Sequence, residues 1–496
     1  MILTRAVFSR LLALVYFVAF LSLWIQIDGL IGSGGVLPAF QLMQTAAAKI
    51  PWRVDLLPTV FWLSSSDRFL HFACGGGILL ALIAFAGFAE TLVFFLLWGL
   101  YLSLVSVSGE FLSFQWDNLL LEVGFLAIFF APFRWREKLQ NVPPPPAVMV
   151  WLLRWLLFRL MLQSGLVKIL SGDPSWASFT ALTLHYETQP LPTWIGWYAH
   201  QLPAWAHMVS QGVMFAVELV VPFFIFLTRR FRIVAFWVFM VFQAVIAATG
   251  NYGFFNLLTC VLCVLLLDDD GFGFLARKEK KKKRETDISL SEPRASRAIR
   301  TPKASRAPLA FFVPFAVFVV CVSLGGWAAR ILGGGWMPEP AREILVAVAP
   351  FRSVNNYGLF AVMTTDRPEI IVEGSADGAT WRTYEFKWKP GDPAQKPGFV
   401  EPHMPRLDWQ MWFAALGTCD RNPWFANFQY RLLQGSPAVL ELLKMNPFPD
   451  RPPVYVRSTV YDYRFTDLPT KAAEGSWWKR EVKGVYCPVL SLPTAR

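Results

Sequence analysis

What most limits this chain is a set of about nine apolar runs, near residues 11–27, 69–88, 91–108, 111–133, 148–167, 207–228, 231–249, 254–267 and 309–331. Each comes close to the roughly 17–25 residues with which an α-helix crosses a hydrocarbon core. The first run follows Arg5 and Arg10 and has no small-residue cleavage site, so it is expected to be an anchor and not a removed signal. With 55% hydrophobic residues and a mean hydropathy of +0.41, the chain is too apolar for a soluble globular protein. The expected fold class is a multi-pass α-helical transmembrane bundle of about nine spans, followed by a C-terminal soluble α+β or β-rich domain. The expected boundaries are 1–270 for the bundle, 271–308 for a basic disordered cytoplasmic linker, 309–335 for the last transmembrane helix and 336–496 for an extracytoplasmic domain.

Charge placement sets the expected orientation. Cytoplasmic loops collect Lys and Arg, and with nine spans Arg5/Arg10, Arg134/Arg136/Lys138, Arg229/Arg230/Arg232 and the run 277–306 all fall on one side. That places the N-terminus inside and the C-terminal domain outside. The last run carries twelve Lys/Arg against four Asp/Glu, which is most of the chain's net +11. Beside a span such a run sets topology and attracts anionic lipid, so nucleic acid is not an expected partner.

Beyond Trp336 the texture changes. Residues 354–390 alternate apolar and polar, with Asp377-Gly378 as a hairpin turn. Residues 408–444 have helical spacing broken at Pro423 and Gly435, and 453–465 and 477–487 return to strand-like alternation. Cys419 and Cys487 are the only two cysteines there, and on an oxidising side they are expected to form one disulfide. Cys260 and Cys263 form a CxxC inside a span, where helix packing explains them without a redox or metal role.

Charges inside the spans need a reason, because each costs roughly 2.5–3.5 kcal/mol at a helix centre. The run 148–167 and its edge hold Arg154, Arg159 and Lys168; the run 111–133 holds Gln115, Asp117, Asn118 and Glu122. At 1.5 Å per residue the acids and Arg159 fall near one level. Two readings stand: a buried ion-pair network that fixes helix register, or a cavity in which Lys168 acts as a base with Asp117, Glu122 or Arg159. The loop that follows is stiff and aromatic, with Trp176, His185, Tyr186, Glu187 and prolines 190 and 192. It suits either a membrane-interface anchor or a recognition surface. Its histidine spacings match no usual zinc site, so no metal or other cofactor is expected.

The runs FLSFQWDNLLLEVGFLAIFFAP (111–132), GLVKILSGDPSW (165–176), LTLHYETQPLP (182–192) with WYAHQLP (197–203), NNYGLF (355–360), YEFKWKPGD (384–392) and PHMPRLDWQMWFAAL (402–416) resemble the signature blocks of the lipase maturation factor family. The resemblance implies a membrane-bound factor that helps exported lipases fold and assemble, with its C-terminal domain in the lumen of the endoplasmic reticulum in eukaryotic members. More distantly, a basic helix ending in GLVKIL is similar to the horizontally transferred transmembrane domain superfamily, which includes vitamin K-dependent gamma-carboxylase. There a lysine in the comparable motif is the base, and Lys168 is the residue that matches.

These readings converge on a non-enzymatic, chaperone-like maturation factor. Its expected partners are the lipid bilayer and an exported client, a lipase, held by aromatics such as Trp381, Trp388, Trp409, Trp412 and Phe413. The rival is a membrane enzyme with a lipid-accessible charged pocket centred on Lys168. A transporter is disfavoured by the absence of repeated spans. The chain has no Asn-x-Ser/Thr sequon and ends in SLPTAR, not a KDEL-type signal. Both favour a bacterial plasma membrane over the endoplasmic reticulum.

Overall fold

The computed structural model describes residues 1–50, 53–135, 142–272 and 307–493. Its main helices are α1 (Ile2–Trp24), α2 (Asp67–Phe85), α3 (Glu90–Val107), α4 (Gln115–Phe130), α5 (Ala147–Leu170), the short α6 (Ala181–Thr188), α7 (Ala204–Leu219), α8 (Arg229–Thr249), α9 (Phe255–Cys263) and α10 (Ala307–Leu332). Among the described residues, 7 helices are long and apolar enough to cross a membrane: α1, α2, α3, α5, α7 with its extension to Phe226, α8 and α10. The other two expected spans form shorter helices. In the first, Gly109–Leu112 make a 3-10 turn and Ala131-Pro132 end α4 after 16 residues. In the second, α9 and its 3-10 tail occupy only Phe255–Leu266.

The first helix also differs from expectation, beginning at Ile2 and not near residue 11. The bundle can take in its early charges because Arg10 pairs with Glu90 of α3 at 2.8 Å. Most of the basic linker, together with Arg136 and Lys138, lies outside the described residues.

After α10 come α11 (Glu339–Val348), a stretch from 352 to 366 with neither helix nor strand, and a four-stranded antiparallel sheet. Its order is β2 (Arg382–Thr383), β1 (Arg367–Ser375), β5 (Tyr455–Phe465) and β6 (Trp478–Ser491). The pair β3 (Glu385–Phe386) and β4 (Leu443–Met445) stands apart. The β1–β2 hairpin turns where Asp377 accepts the amides of Ala379 and Thr380, and Gly378 takes φ +75°. Helix α12 (Arg406–Ala415) packs on β1, and α13 (Pro423–Leu433) packs on β5 and β6. A disulfide joins Cys419, just before α13, to Cys487 of β6, with their Cα atoms 5.5 Å apart.

The two halves share one apolar core. A continuous cluster of buried side chains runs from Phe8 in α1 to Cys487 in β6. The C-terminal fold is seated on the helices and is not a tethered neighbour.

Candidate functional site: a polar junction

The stretch 352–366 explains most of the polar residues in α4 and α5. Extended backbone cannot satisfy its own amides and carbonyls, so where it is buried among apolar helices it needs side-chain partners. The helices supply them. Gln115 clamps Gly358, accepting its N–H and donating to its carbonyl, both at 3.0 Å. Gln163 accepts the Tyr357 amide at 2.9 Å, and Glu122 accepts the Asn355 amide at 2.8 Å and the Tyr357 hydroxyl at 2.7 Å. Asp173 accepts the Met363 amide at 2.7 Å, while Arg352 donates to Asn118 at 2.9 Å. Arg159 pairs with Glu122 and also donates to the Asn355 carbonyl at 2.9 Å.

A second tie joins α4 to α12. Asp117 and Arg406 are both fully buried and meet side by side, at 2.5 Å and 2.8 Å. Arg406 also donates to the Phe111 carbonyl at 3.1 Å, and the Tyr101 hydroxyl donates to Asp117 at 2.5 Å. This two-pronged arrangement is the strong form of an arginine–carboxylate contact.

The third tie anchors the loop after α6. Arg367 of β1 donates to the carbonyls of Glu187, Gln189 and Pro190 and pairs with Glu369 at 2.8 Å. Burial pulls its pKa below the ordinary arginine value, and Glu369 works against that shift. Glu187 in turn accepts from Arg464 at 2.9 Å and from the Phe465 amide at 3.0 Å.

The sequence-derived candidates therefore separate. Lys168, Asp117, Glu122 and Arg159 do not converge on one catalytic centre. Lys168 donates to both carboxylate oxygens of Glu218 in α7, at 2.8 Å and 2.7 Å, and so is not a free base. Glu122 and Arg159 do pair across α4 and α5, but Asp117 belongs to Arg406. Trp409 and Trp412, considered as client contacts, are only 3% and 8% exposed. Trp409 packs on Trp116 with ring centroids 4.8 Å apart, and the Trp412 indole donates to the Thr188 carbonyl at 2.8 Å. Both are packing residues of the junction.

Trp176 is buried too, donating to the Phe360 carbonyl at 3.1 Å, with the Lys168 ammonium 5.5 Å from its ring centre. His185 packs edge-on to Phe360, and burial followed by the nearby Lys168 lowers its pKa to about 4, so the ring is neutral at pH 7. Tyr186 lies against His207 with the rings tilted by 46° and their centroids 5.7 Å apart. The aromatic loop is thus part of the seat on which β1 and β5 rest.

Sequence reasoning missed Glu218, Tyr357, Asn355, Arg367 and Arg406. A signal existed for Glu218, a lone acid in the apolar run AVELVVP, since an intramembrane carboxylate implies a partner. Arg367 and Glu369 sit two apart on one face of β1, a spacing that puts both charges inward. The partners of Asn355 and Arg406 lie more than 190 residues away in sequence, where no local pattern points.

The lipase maturation factor transmembrane domain family matches residues 3–274, and the lipase maturation factor C-terminal domain family matches residues 353–488. The second match begins with the buried stretch that follows α11. A Xenopus laevis protein named lipase maturation factor 2 is 35% identical over 587 aligned residues, covering 99% of this chain and 82% of its own length. The Homo sapiens protein named lipase maturation factor 1 is 37% identical over 521, covering 100% and 89%. No solved structure matches. With both halves matched and relatives aligned over nearly the whole of this chain, the chain belongs to the lipase maturation factor family.

Proposed function

We propose that this protein is a membrane-anchored, chaperone-like maturation factor that assists exported proteins, lipases among them, in folding or assembly. The observation that carries the reading is the similarity of nearly the whole of this chain to proteins named lipase maturation factor. One edge of the C-terminal sheet supports a holding role. β6 is the outer strand of its sheet, 14 residues long, and among the described residues nothing pairs with its free edge. Val482, Val485 and Val489 on it are exposed, Val485 to 76%. An open groove of about 510 Å³ beside it is lined by Asp366, Leu416, Lys483 and Val485. Unpaired strand edges with apolar side chains add a partner's strand, which is how an extended, incompletely folded client would dock.

The proposed orientation puts this fold outside the cytoplasm, in the periplasm of a bacterium. Its support is the end of the bundle at which the basic residues gather. Thr4 meets Asp269, Arg229 meets Asp268, and the Ala89 amide donates to the Trp135 carbonyl, all at the end away from Ser22 and Gln26, which contact residues 403–406. The test is the specific activity of an exported lipase in cells with the protein, without it, and with Val482→Lys and Val485→Lys together. The reading expects deletion to lower specific activity and the double variant to behave like the deletion at unchanged abundance. Lipase activity indifferent to deletion would overturn it.

A further inference from the structure

The stretch 352–366 begins deep in the helix bundle. Asn355 and Tyr357 are held by Arg159 and Gln163, and Arg159 lies halfway along the 24-residue α5. Helix α10 ends at Leu332, so between 332 and 352 the chain turns and travels back beside it. Helix α11 is that return leg. Its far end, Ala347 and Val348, encloses with Phe351 an apolar pocket of about 230 Å³ against Phe315, Phe318 and Val319, the last two halfway along the 26-residue α10. The bend is Gly333-Gly334-Gly335-Trp336, with Gly333 at φ +75° and Trp336 exposed, as Trp rings are where they sit at headgroup level.

The residue pattern of α11 follows this path. None of its residues is buried. Glu339, Arg342 and Glu343 share one exposed face at i, i+3 and i+4, where Arg342 pairs with Glu339. One turn further on, that face is continued by Val346, which is 64% exposed, and residues 344–351 contain no polar side chain at all although Ile344 is exposed too. A surface helix in water keeps polar residues outward along its whole length. Here polarity divides along the axis, with charges at the bend and apolar residues at mid-bundle, which is the order a segment meets in passing from headgroups into hydrocarbon. Non-helical backbone is tolerated at that depth only inside protein, and 352–358 meets the condition through Gln115, Glu122, Arg159 and Gln163.

We propose that residues 339–358 form a re-entrant membrane segment, entering and leaving at the end of the bundle where α10 stops, with the exposed face of α11 against the acyl chains of the bilayer. The segment is separate from the β6 edge, so it stands or fails independently of the client reading. The test uses the full-length protein in phosphatidylcholine vesicles whose lipid carries a diazirine at mid-chain, with adducts mapped by mass spectrometry after denaturation and trypsin digestion. Cleavage after Arg342 and Arg352 isolates Glu343–Arg352 as one peptide. The expected result is lipid adducts on that peptide, at Ile344 or Val346, beside those on α10. In plain vesicles of the same lipid, Glu339→Cys should react with a membrane-impermeant maleimide, whereas Val346→Cys should lose that reaction and regain it in SDS. Lipid adducts on α10 but none on Glu343–Arg352, the pattern of a face covered by protein or water, would overturn the proposal, as would equal maleimide reaction at positions 339 and 346.

Discussion

Replacing Arg406 by Met gives the sharpest test of the junction. The side chain is about the right length to fill the space, but Asp117 is left fully buried with its charge matched only by the Tyr101 hydroxyl. Breaking a buried pair from one side costs about 3–5 kcal/mol. Unfolding entropy near 2.1 cal/mol/K per residue gives about 1 kcal/mol/K for the 496 residues melting as one unit, so the loss corresponds to a Tm lower by about 3–5 °C. The 22 tryptophans make intrinsic fluorescence in detergent a direct reporter. Arg406→Met combined with Asp117→Leu removes both charges and should recover at least half of the drop, since apolar replacement of a whole buried pair is often neutral or stabilising. A single variant within 1 °C of wild type, roughly 1 kcal/mol on the same scale, would show that the pair does not hold the two halves together.

Three further outcomes follow from the same contacts. Gly358 has φ +138°, and a Cβ there would sit 2.7 Å from Val167 Cγ1, so Gly358→Ala should destabilise by about 1–3 kcal/mol, read as a lower Tm and earlier proteolysis after α11. Burial pushes Glu401 up to about 7, against hydrogen bonds from the Tyr252 amide and Asn256. Its stabilisation is complete below the ordinary glutamate value near 4.5 and fades as pH rises through 7, because the unfolded chain releases the proton first. Melting curves of Glu401→Gln should lack that decline. Reducing the Cys419–Cys487 disulfide, which spans 68 residues, should cost about 4 kcal/mol on the loop-entropy scale, seen as a Tm shift between reduced and oxidised protein.

Local pattern carried the apolar helices and the strands from β1 onward, but not the stretch 354–366, which is neither helix nor strand. Among the described residues each of the nine apolar runs contains a helix, 7 of them long enough to cross a membrane, and the breaks at Pro423 and Gly435 bound α13. The length of α4 was misjudged because Phe111 and Leu112 are apolar but belong to a 3-10 turn under Trp424. The charged positions were visible as costly residues, but their partners were not. Asp117, Glu122 and Arg159 looked like a set because they share a level in adjacent helices. Asp117 meets an arginine beyond the last span, and Glu122 serves a backbone that sequence texture assigned to a strand. Burial of Trp409 and Trp412 was equally hidden, since an aromatic stripe has the same spacing whether it faces a client or another part of its own chain.

The Asp117–Arg406 contact also has a temporal side. The partners are 289 residues apart, and the helices α5 to α10 are all made between them. At roughly 5–20 residues per second, Asp117 waits about 15–60 s for its counter-charge. Glu122 waits almost as long for Asn355 and Tyr357. During that interval α4 carries a carboxylate without its arginine partner, so its final packing in the bundle follows arrival of the C-terminal fold. A ribosome stalled before residue 406 should leave α4 open to water-soluble labelling reagents.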